Sequence, residues 1–254
     1  MIPNPTQRFT GRVESYRRYR PSYPPELVDR LRSACGLTSN SVIADVAAGT
    51  GLLTEVFLAA GFPVIAVEPN PEMRAACASL TADFPRLNIV EGTAEATHLP
   101  DHSFDLVTVA QAMHWFDLER TRAEFVRVLR PAGSCAVIYN NRPPGGDVFH
   151  EGYERLLHDF GIDYTAVKSQ HMGRKRLTAF FAPSPMECAT FNNEQSFGLE
   201  GLEGRILSSS YMPQPGHPRF EEMREAVRRL FDQTQTDGRV TMKHDCVVCW
   251  GRLS

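Results

Sequence analysis

The chain has 254 residues, 42% of them hydrophobic, and a formal net charge of −3. That length supports one large domain that buries on the order of 75% of its unfolded surface. The slightly acidic balance supplies no global positive field for nucleic acid. No stretch approaches the roughly 20 apolar residues that a membrane-spanning helix requires. The opening Met1-Ile-Pro-Asn-Pro lacks an apolar run of signal-peptide length, so the expectation is a cytoplasmic protein acting on a small molecule. Six scattered cysteines suggest reduced thiols rather than a disulfide framework. Cys246 and Cys249 lie in an expected strand, where residues three apart face opposite sides and cannot converge on a metal; no metal site is expected.

In chain order, residues 1–36 form a basic and aromatic cap. It carries Arg8, Phe9, Arg12, Tyr16, Arg17, Arg18, Tyr19, Arg20 and Tyr23 ahead of an amphipathic helix over Glu26–Ala34. Residues 37–254 form the main domain. Its first strand, about 42–46, holds one acid, Asp45, and breaks into a turn at Gly49 and Gly51 before a helix over 52–60 stopped by Gly61. The second strand, from Pro63 through Val67, ends in Glu68. Asn70 is an N-cap and Pro71 the first residue of a helix reaching about 81. Strands follow over Leu87–Val90 and Phe104–Ala110, then a helix capped by Asp117 with an apolar stripe of Leu118, Phe125, Val126 and Leu129. A fifth strand covers Ser134–Tyr139.

Beyond it the pattern predicts a helix over Val148–Phe160, an irregular stretch around Gly173–Arg176 and a strand over Met186–Phe191. Helices over Leu199–Ser209 and Arg219–Thr234, a turn at Asp237-Gly238 and a last strand from Val240 complete the chain. Strands alternating with helices predict an α/β fold, a Rossmann-like, doubly wound and mostly parallel sheet with helices on both faces.

A strand, a glycine turn and a helix, followed by an acid at the end of the next strand, is the arrangement that presents a carboxylate to ribose hydroxyls. The pair of features points to an adenosine-containing ligand. The dinucleotide fingerprint needs a third glycine where this chain has Thr54. Asp45 close to the ligand's centre would also repel a pyrophosphate and accept a cation. S-adenosylmethionine, with an ammonium, a sulfonium and no phosphate, meets both conditions.

With these residues the chain resembles the class I S-adenosylmethionine-dependent methyltransferases, near the small-molecule group that includes trans-aconitate methyltransferases. The resemblance continues through Glu91-Gly92-Thr93-Ala94-Glu95, Gln111-Ala-Met-His114-Trp115-Phe116-Asp117 and Leu129-Arg-Pro-Ala-Gly133, and covers about residues 40–140. Ala47 departs from it, standing where the family usually has its first glycine; alanine resists positive φ.

The resemblance implies a seven-stranded sheet whose last two strands form an antiparallel edge. It places Asp45, Gly49 and Gly51 at the methionine end of the cofactor and Glu68 and Pro69 at the ribose. Met73, Thr93, Ala94 and Glu95 would lie along adenine, and the Gln111 carbonyl at the ammonium. Tyr16 and Arg20 would act as a lid over the cofactor. Tyr19, His114, Trp115 and Tyr211 are candidates for acceptor contact, with His114 a candidate general base or a histidine bonded to backbone. The implied reaction is direct in-line methyl transfer to a small-molecule acceptor, a carboxylate or a hydroxyl. An NAD(P)-dependent oxidoreductase and a non-catalytic S-adenosylmethionine-binding protein are the alternatives.

Overall fold

The computed structural model describes residues 10–143, 145, 147–169 and 172–253; Arg8 and Phe9 of the expected cap lie outside them. Its centre is a seven-stranded sheet in the order β3-β2-β1-β4-β5-β7-β6. The strands are β1 (Ile43–Val46), β2 (Val64–Val67), β3 (Leu87–Val90), β4 (Phe104–Ala110), β5 (Leu129–Asn141), β6 (Glu187–Phe197) and β7 (Val240–Gly251). β1 to β5 are parallel, and β7 runs antiparallel to both of its neighbours, β5 and β6. The last two strands thus form the expected antiparallel edge, with β6 outermost.

Alternate strand residues feed opposite faces, as a period of two requires. Ile43, Val64 and Leu106 pack against α2 (Glu26–Cys35) and α3 (Leu52–Ala59) through Leu27, Leu31, Phe57 and Leu58. Ala44, Val107 and Val109 face α5 (Leu118–Val128) and α8 (Arg174–Phe181) through Phe125, Val128 and Phe180. A third apolar cluster joins α6 (Val148–Phe160), α9 (Leu199–Leu207) and α10 (Phe220–Thr234) to the Phe197–Val240 end of the β6–β7 pair through Tyr153, Leu202, Val227 and Met242. This helical layer overhangs the carboxyl ends of the parallel strands, where ligands of open α/β sheets bind.

The cap divides into two parts. α1 (Val13–Tyr19) has no buried residue, whereas α2 is integral to the core through Leu27, Val28 and Leu31. Asn70 caps α4 (Pro71–Ala78) with its Oδ1 accepting from the Glu72 and Met73 amides at 3.0 Å, and Asp117 caps α5 in the same way. A single 3-10 turn over Ser79–Ala82 ends the segment expected to be one helix.

Three expectations are corrected. Val126 is 39% exposed, and Thr121 takes its place beside Phe125 and Val128 on the buried stripe of α5. Residues from Arg174 are helical, burying Leu177, Phe180 and Phe181. Cys188 and Cys249 are not free thiols: the β6–β7 register sets them directly opposite each other, and their sulfurs are bonded across the ladder. Cys246 and Cys249 do face opposite sides, one in each sheet-face cluster. No helix among the described residues is long and apolar enough to cross a membrane.

Candidate functional site

Parallel pairing brings the site's acids together. β1 lies between β2 and β4, with Asp45 opposite Ala66 on one side and Thr108 on the other. Asp45 is 1% exposed; its Oδ1 accepts from the Thr108 hydroxyl at 2.9 Å and its Oδ2 from the Thr54 hydroxyl at 2.6 Å. Burial raises its pKa to about 6, against the lowering effect of the two hydroxyls, and the Glu68 carboxylate adds to the rise. A buried carboxylate in this state gains most from a cationic neighbour. Thr54, at the third glycine place, is therefore a hydrogen-bond donor to Asp45 rather than an opening for pyrophosphate.

Glu68 follows β2 and is 6% exposed. Its Oε2 accepts from the Gly49 amide at 2.8 Å and its Oε1 from the Asn70 amide at 2.8 Å; burial pushes its pKa up against these two bonds. A carboxylate offers about four lone-pair sites, so each oxygen keeps capacity for one hydroxyl, which is what a ribose requires. Arg74 secures this corner, donating to the Glu68 and Pro69 carbonyls at 2.9 and 3.0 Å and to Glu91 at 2.8 Å.

Between the two acids the turn adopts left-handed backbone at Ala47 (φ 57°), Gly49 (φ 61°) and Gly51 (φ 89°). A Cβ added at Gly49 would meet nothing within 4 Å, so this side of the turn is open to a ligand, whereas one at Gly51 would strike Leu80 at 2.6 Å. Ala47 takes the positive φ that its side chain disfavours, at a cost of roughly 1–2 kcal/mol. Gln111, at the end of neighbouring β4, does the same at φ 58°. Two adjacent strand ends beside the glycine turn thus both hold strained backbone.

Gln111 also opens a second region. A cavity of about 910 Å³ extends from Leu52 and Gln111 across His114 and Trp115 to α6 and α9, and Tyr16, Arg20 and Tyr211 line it as well. His114 packs at a tilt on Trp115 with ring centres 4.4 Å apart and lies 6.3 Å from the Tyr139 ring. The Gln111 amide side chain donates to the Asn140 carbonyl at 3.4 Å.

The chain's start spans this cavity. On one side the Gly11 amide donates to Glu72 at 2.7 Å and Arg17 to Ser79 at 2.6 Å; on the other, Arg12 donates to the Ser209 carbonyl and Arg20 to the Ser208 carbonyl at 2.9 Å. α1 is therefore a strap joining α4 to the end of α9.

The other expected residues are held by neighbours of their own. Tyr19 is not in the cavity: its ring packs on Gly204, where a Cβ would approach it to 2.1 Å, and its hydroxyl donates to Glu200 at 3.2 Å. Thr93 and Ala96 close a small backbone bridge around buried Ala94, and Glu95 accepts from the Asp117 amide at 3.0 Å. Met73 is buried in the first turn of α4. Sequence reasoning missed Arg142, Glu154, Tyr164 and Arg205, which line the cavity. For Arg205 a local signal existed: it sits between Leu202 and Ile206, a charge on the apolar stripe of α9.

The methyltransferase domain family matches residues 44–137. An uncharacterised methyltransferase of Mycobacterium tuberculosis is 43% identical over 134 residues, covering 53% of this chain and 52% of its own length. One from Schizosaccharomyces pombe is 36% identical over 135 residues, covering 53% of each. The chain thus spans about half the length of the curated relatives it matches. Over the whole fold, a structure from Anaeromyxobacter dehalogenans described as a candidate type II methyltransferase superposes with a TM-score of 0.68 at 25% identity, covering 92% of this chain and 98% of that one. The fold also matches geranyl diphosphate C-methyltransferase from Streptomyces coelicolor, solved with S-adenosylhomocysteine, with a TM-score of 0.51 at 12% identity, over 89% of this chain and 75% of that one. Residues 44–137 thus match a methyltransferase domain, and the strand order and whole-chain superposition support a class I S-adenosylmethionine-dependent methyltransferase.

Proposed function

We propose that this chain transfers the methyl group of S-adenosylmethionine to a small-molecule acceptor, at a carboxylate or hydroxyl oxygen, by direct in-line displacement that leaves S-adenosylhomocysteine. The observation that carries this reading is the pair of buried acids, Asp45 and Glu68, on either side of a turn open at Gly49, next to a cavity large enough for a second molecule. When bound, the cofactor supplies a methyl already activated on a sulfonium. Glu68 receives the ribose hydroxyls, and Asp45 faces the cationic methionine end. Gln111 offers its main-chain carbonyl there, and the Gly49 turn permits close backbone approach. Thr93, Ala94 and Met73 form the adenine side.

The chain's own contribution to rate is then orientation, which can supply up to about 7–11 kcal/mol when reacting atoms are well aligned. His114 and Trp115, in the turn that follows β4, line the cavity and position the acceptor. His114 accepts a proton where the acceptor is a hydroxyl; a carboxylate requires none. The α1 strap, through Tyr16 and Arg20, closes the cavity from water.

The test is release of S-adenosylhomocysteine when the full chain is incubated with S-adenosylmethionine and a panel of carboxylic acids, phenols and alcohols. Release dependent on one acceptor class, and lost in Asp45→Ala, supports the reading. Cofactor binding without turnover across the panel would point to the non-catalytic alternative.

A further inference from the structure

The inner wall of the cavity carries more positive charge than the protein balances. Arg205, in the last turn of α9, is 3% exposed; its Nη1 reaches the Ser208 and Ser209 hydroxyls only at 3.5 and 3.4 Å, and its buried Nε has no hydrogen-bond partner. Arg20, at the end of the strap, donates to the same Ser209 hydroxyl at 3.3 Å and to the Ser208 carbonyl at 2.9 Å, and its Nε is also buried without a partner. Two guanidinium groups therefore meet at one serine.

Arg142, just beyond β5, completes the group. It lies 3.2 Å from Glu154 and 3.1 Å from the Tyr164 hydroxyl. Burial outweighs other influences in pushing the Arg205 pKa down to about 10, and the like charges of Arg20 and Arg142 lower it further. The same three arginines hold the buried Tyr211 phenol below its ordinary value against the effect of burial.

No carboxylate pairs with Arg20 or Arg205 among the described residues. Glu154 is already engaged by Arg142, Lys168 and the Tyr164 hydroxyl. Glu151, also in the lining, stands 4.0 Å from Arg155. The helix dipole at the end of α9 favours one cation and does not explain three. Buried cations with donors left over are costly unless an anion completes them.

We propose that Arg205, Arg20 and Arg142 form an anion subsite for the charged group of the acceptor, so that the acceptor is a small organic acid. Only the word acceptor rests on the methyl-transfer reading; the subsite does not. Guanidinium forks match a carboxylate in a planar, two-bond geometry. The Tyr164 and Tyr211 rings, 5.0 Å apart, line the cavity beside it, and Arg142 lies 5.4 Å over the ring of buried Tyr153. An unsaturated or aromatic body suits that surface.

The experiment is calorimetric titration of the full chain with benzoate, citrate and sulfate, and with neutral benzamide, each with and without S-adenosylhomocysteine. At least one anion binds saturably, and benzamide binds at least about tenfold more weakly than benzoate if benzoate is that anion. Arg205→Gln and Arg20→Gln each weaken anion binding by about tenfold, and Arg205→Gln leaves S-adenosylhomocysteine affinity within about twofold. Circular dichroism confirms that the variants fold; if Arg205→Gln does not, Arg20→Gln decides.

Failure of all three anions to bind the unmodified chain, or unaltered anion binding in the folded variants, overturns the proposal. So does loss of S-adenosylhomocysteine affinity in Arg205→Gln, which would assign the arginine to the cofactor's own carboxylate. Anion binding without S-adenosylhomocysteine binding would leave the subsite standing and reject the methyl-transfer reading.

Discussion

The Thr54 hydroxyl donates to Asp45 at 2.6 Å inside a core that admits almost no water. This bond, with its counterpart from Thr108, keeps an acid tolerable within an apolar strand. Because burial holds the folded-state pKa of Asp45 near 6, above its ordinary 3.8, the folded protein binds the extra proton between these values. This group's contribution to stability is therefore full below about pH 4 and is lost as pH rises through about 6, a loss of up to about 3 kcal/mol. Asp45→Asn should raise the melting temperature at pH 7 more than at pH 4, while weakening cofactor binding. Thr54→Val should destabilise by about 1.5–3 kcal/mol at pH 7 and by less at pH 4. Melting curves of the three proteins at both pH values provide the check.

The two glycines of the turn should fail in different ways. At Gly51 a methyl meets Leu80 at 2.6 Å and Cys77 at 3.0 Å with φ at 89°, so Gly51→Ala should cost about 2–4 kcal/mol of stability. At Gly49 the space is open and only the backbone penalty applies, about 1–2 kcal/mol. That methyl, however, projects from the ligand side of the turn. Denaturant unfolding should rank Gly51→Ala as the less stable, and Gly49→Ala should retain its fold while losing S-adenosylhomocysteine affinity.

Ala47 holds a left-handed backbone at φ 57°. Replacing it with glycine removes roughly 1–2 kcal/mol of strain and adds about 0.5–1 kcal/mol of chain entropy cost. Ala47→Gly should thus stabilise the protein by up to about 1.5 kcal/mol, readable as a higher urea midpoint with an unchanged slope.

His244 opposes Asp45. It is 3% exposed, and burial, with Arg205 and Arg142 adding their charge, pushes its pKa down to about 3. With the folded value below the ordinary 6.5, its contribution is full above about pH 6.5 and is lost on acidification toward pH 3, at about 1.4 kcal/mol per pH unit within that window. His244→Leu should flatten the acid side of the stability profile. An unchanged acid limb would show that His244 does not carry this charge effect.

The parallel half of the fold was legible because its signals are local. Leu87–Val90 and Phe104–Ala110 end at glycine, proline or polar breaks, and Asn70 and Asp117 bond amides two and three residues ahead. Asp45, Gly49, Gly51 and Glu68 were legible as a group because one βαβ unit brings them together. The helical layer was less so. α1 has no buried residue to give it an apolar period, and the basic run at Arg174–Arg176 obscured a helix whose buried residues come later. Cys188 meets Cys249 only after a pairing that spans 61 residues. The arginine cluster draws Arg20, Arg142 and Arg205 from three distant elements, and no spacing rule connects them. Tyr19 read as a cavity residue beside Tyr16 and Arg20, but one helical position turns it toward Gly204.

The central claim is that the acids around the glycine turn hold S-adenosylmethionine. The most direct measurement is calorimetric titration of the full chain with S-adenosylmethionine, with NADH as the control and the Asp45→Ala, Glu68→Ala double variant alongside. Binding near the micromolar range, about −8 kcal/mol, absent with NADH and lost in a folded double variant, is the predicted result. Binding of NADH in place of S-adenosylmethionine, or S-adenosylmethionine affinity unchanged in the double variant, would contradict it.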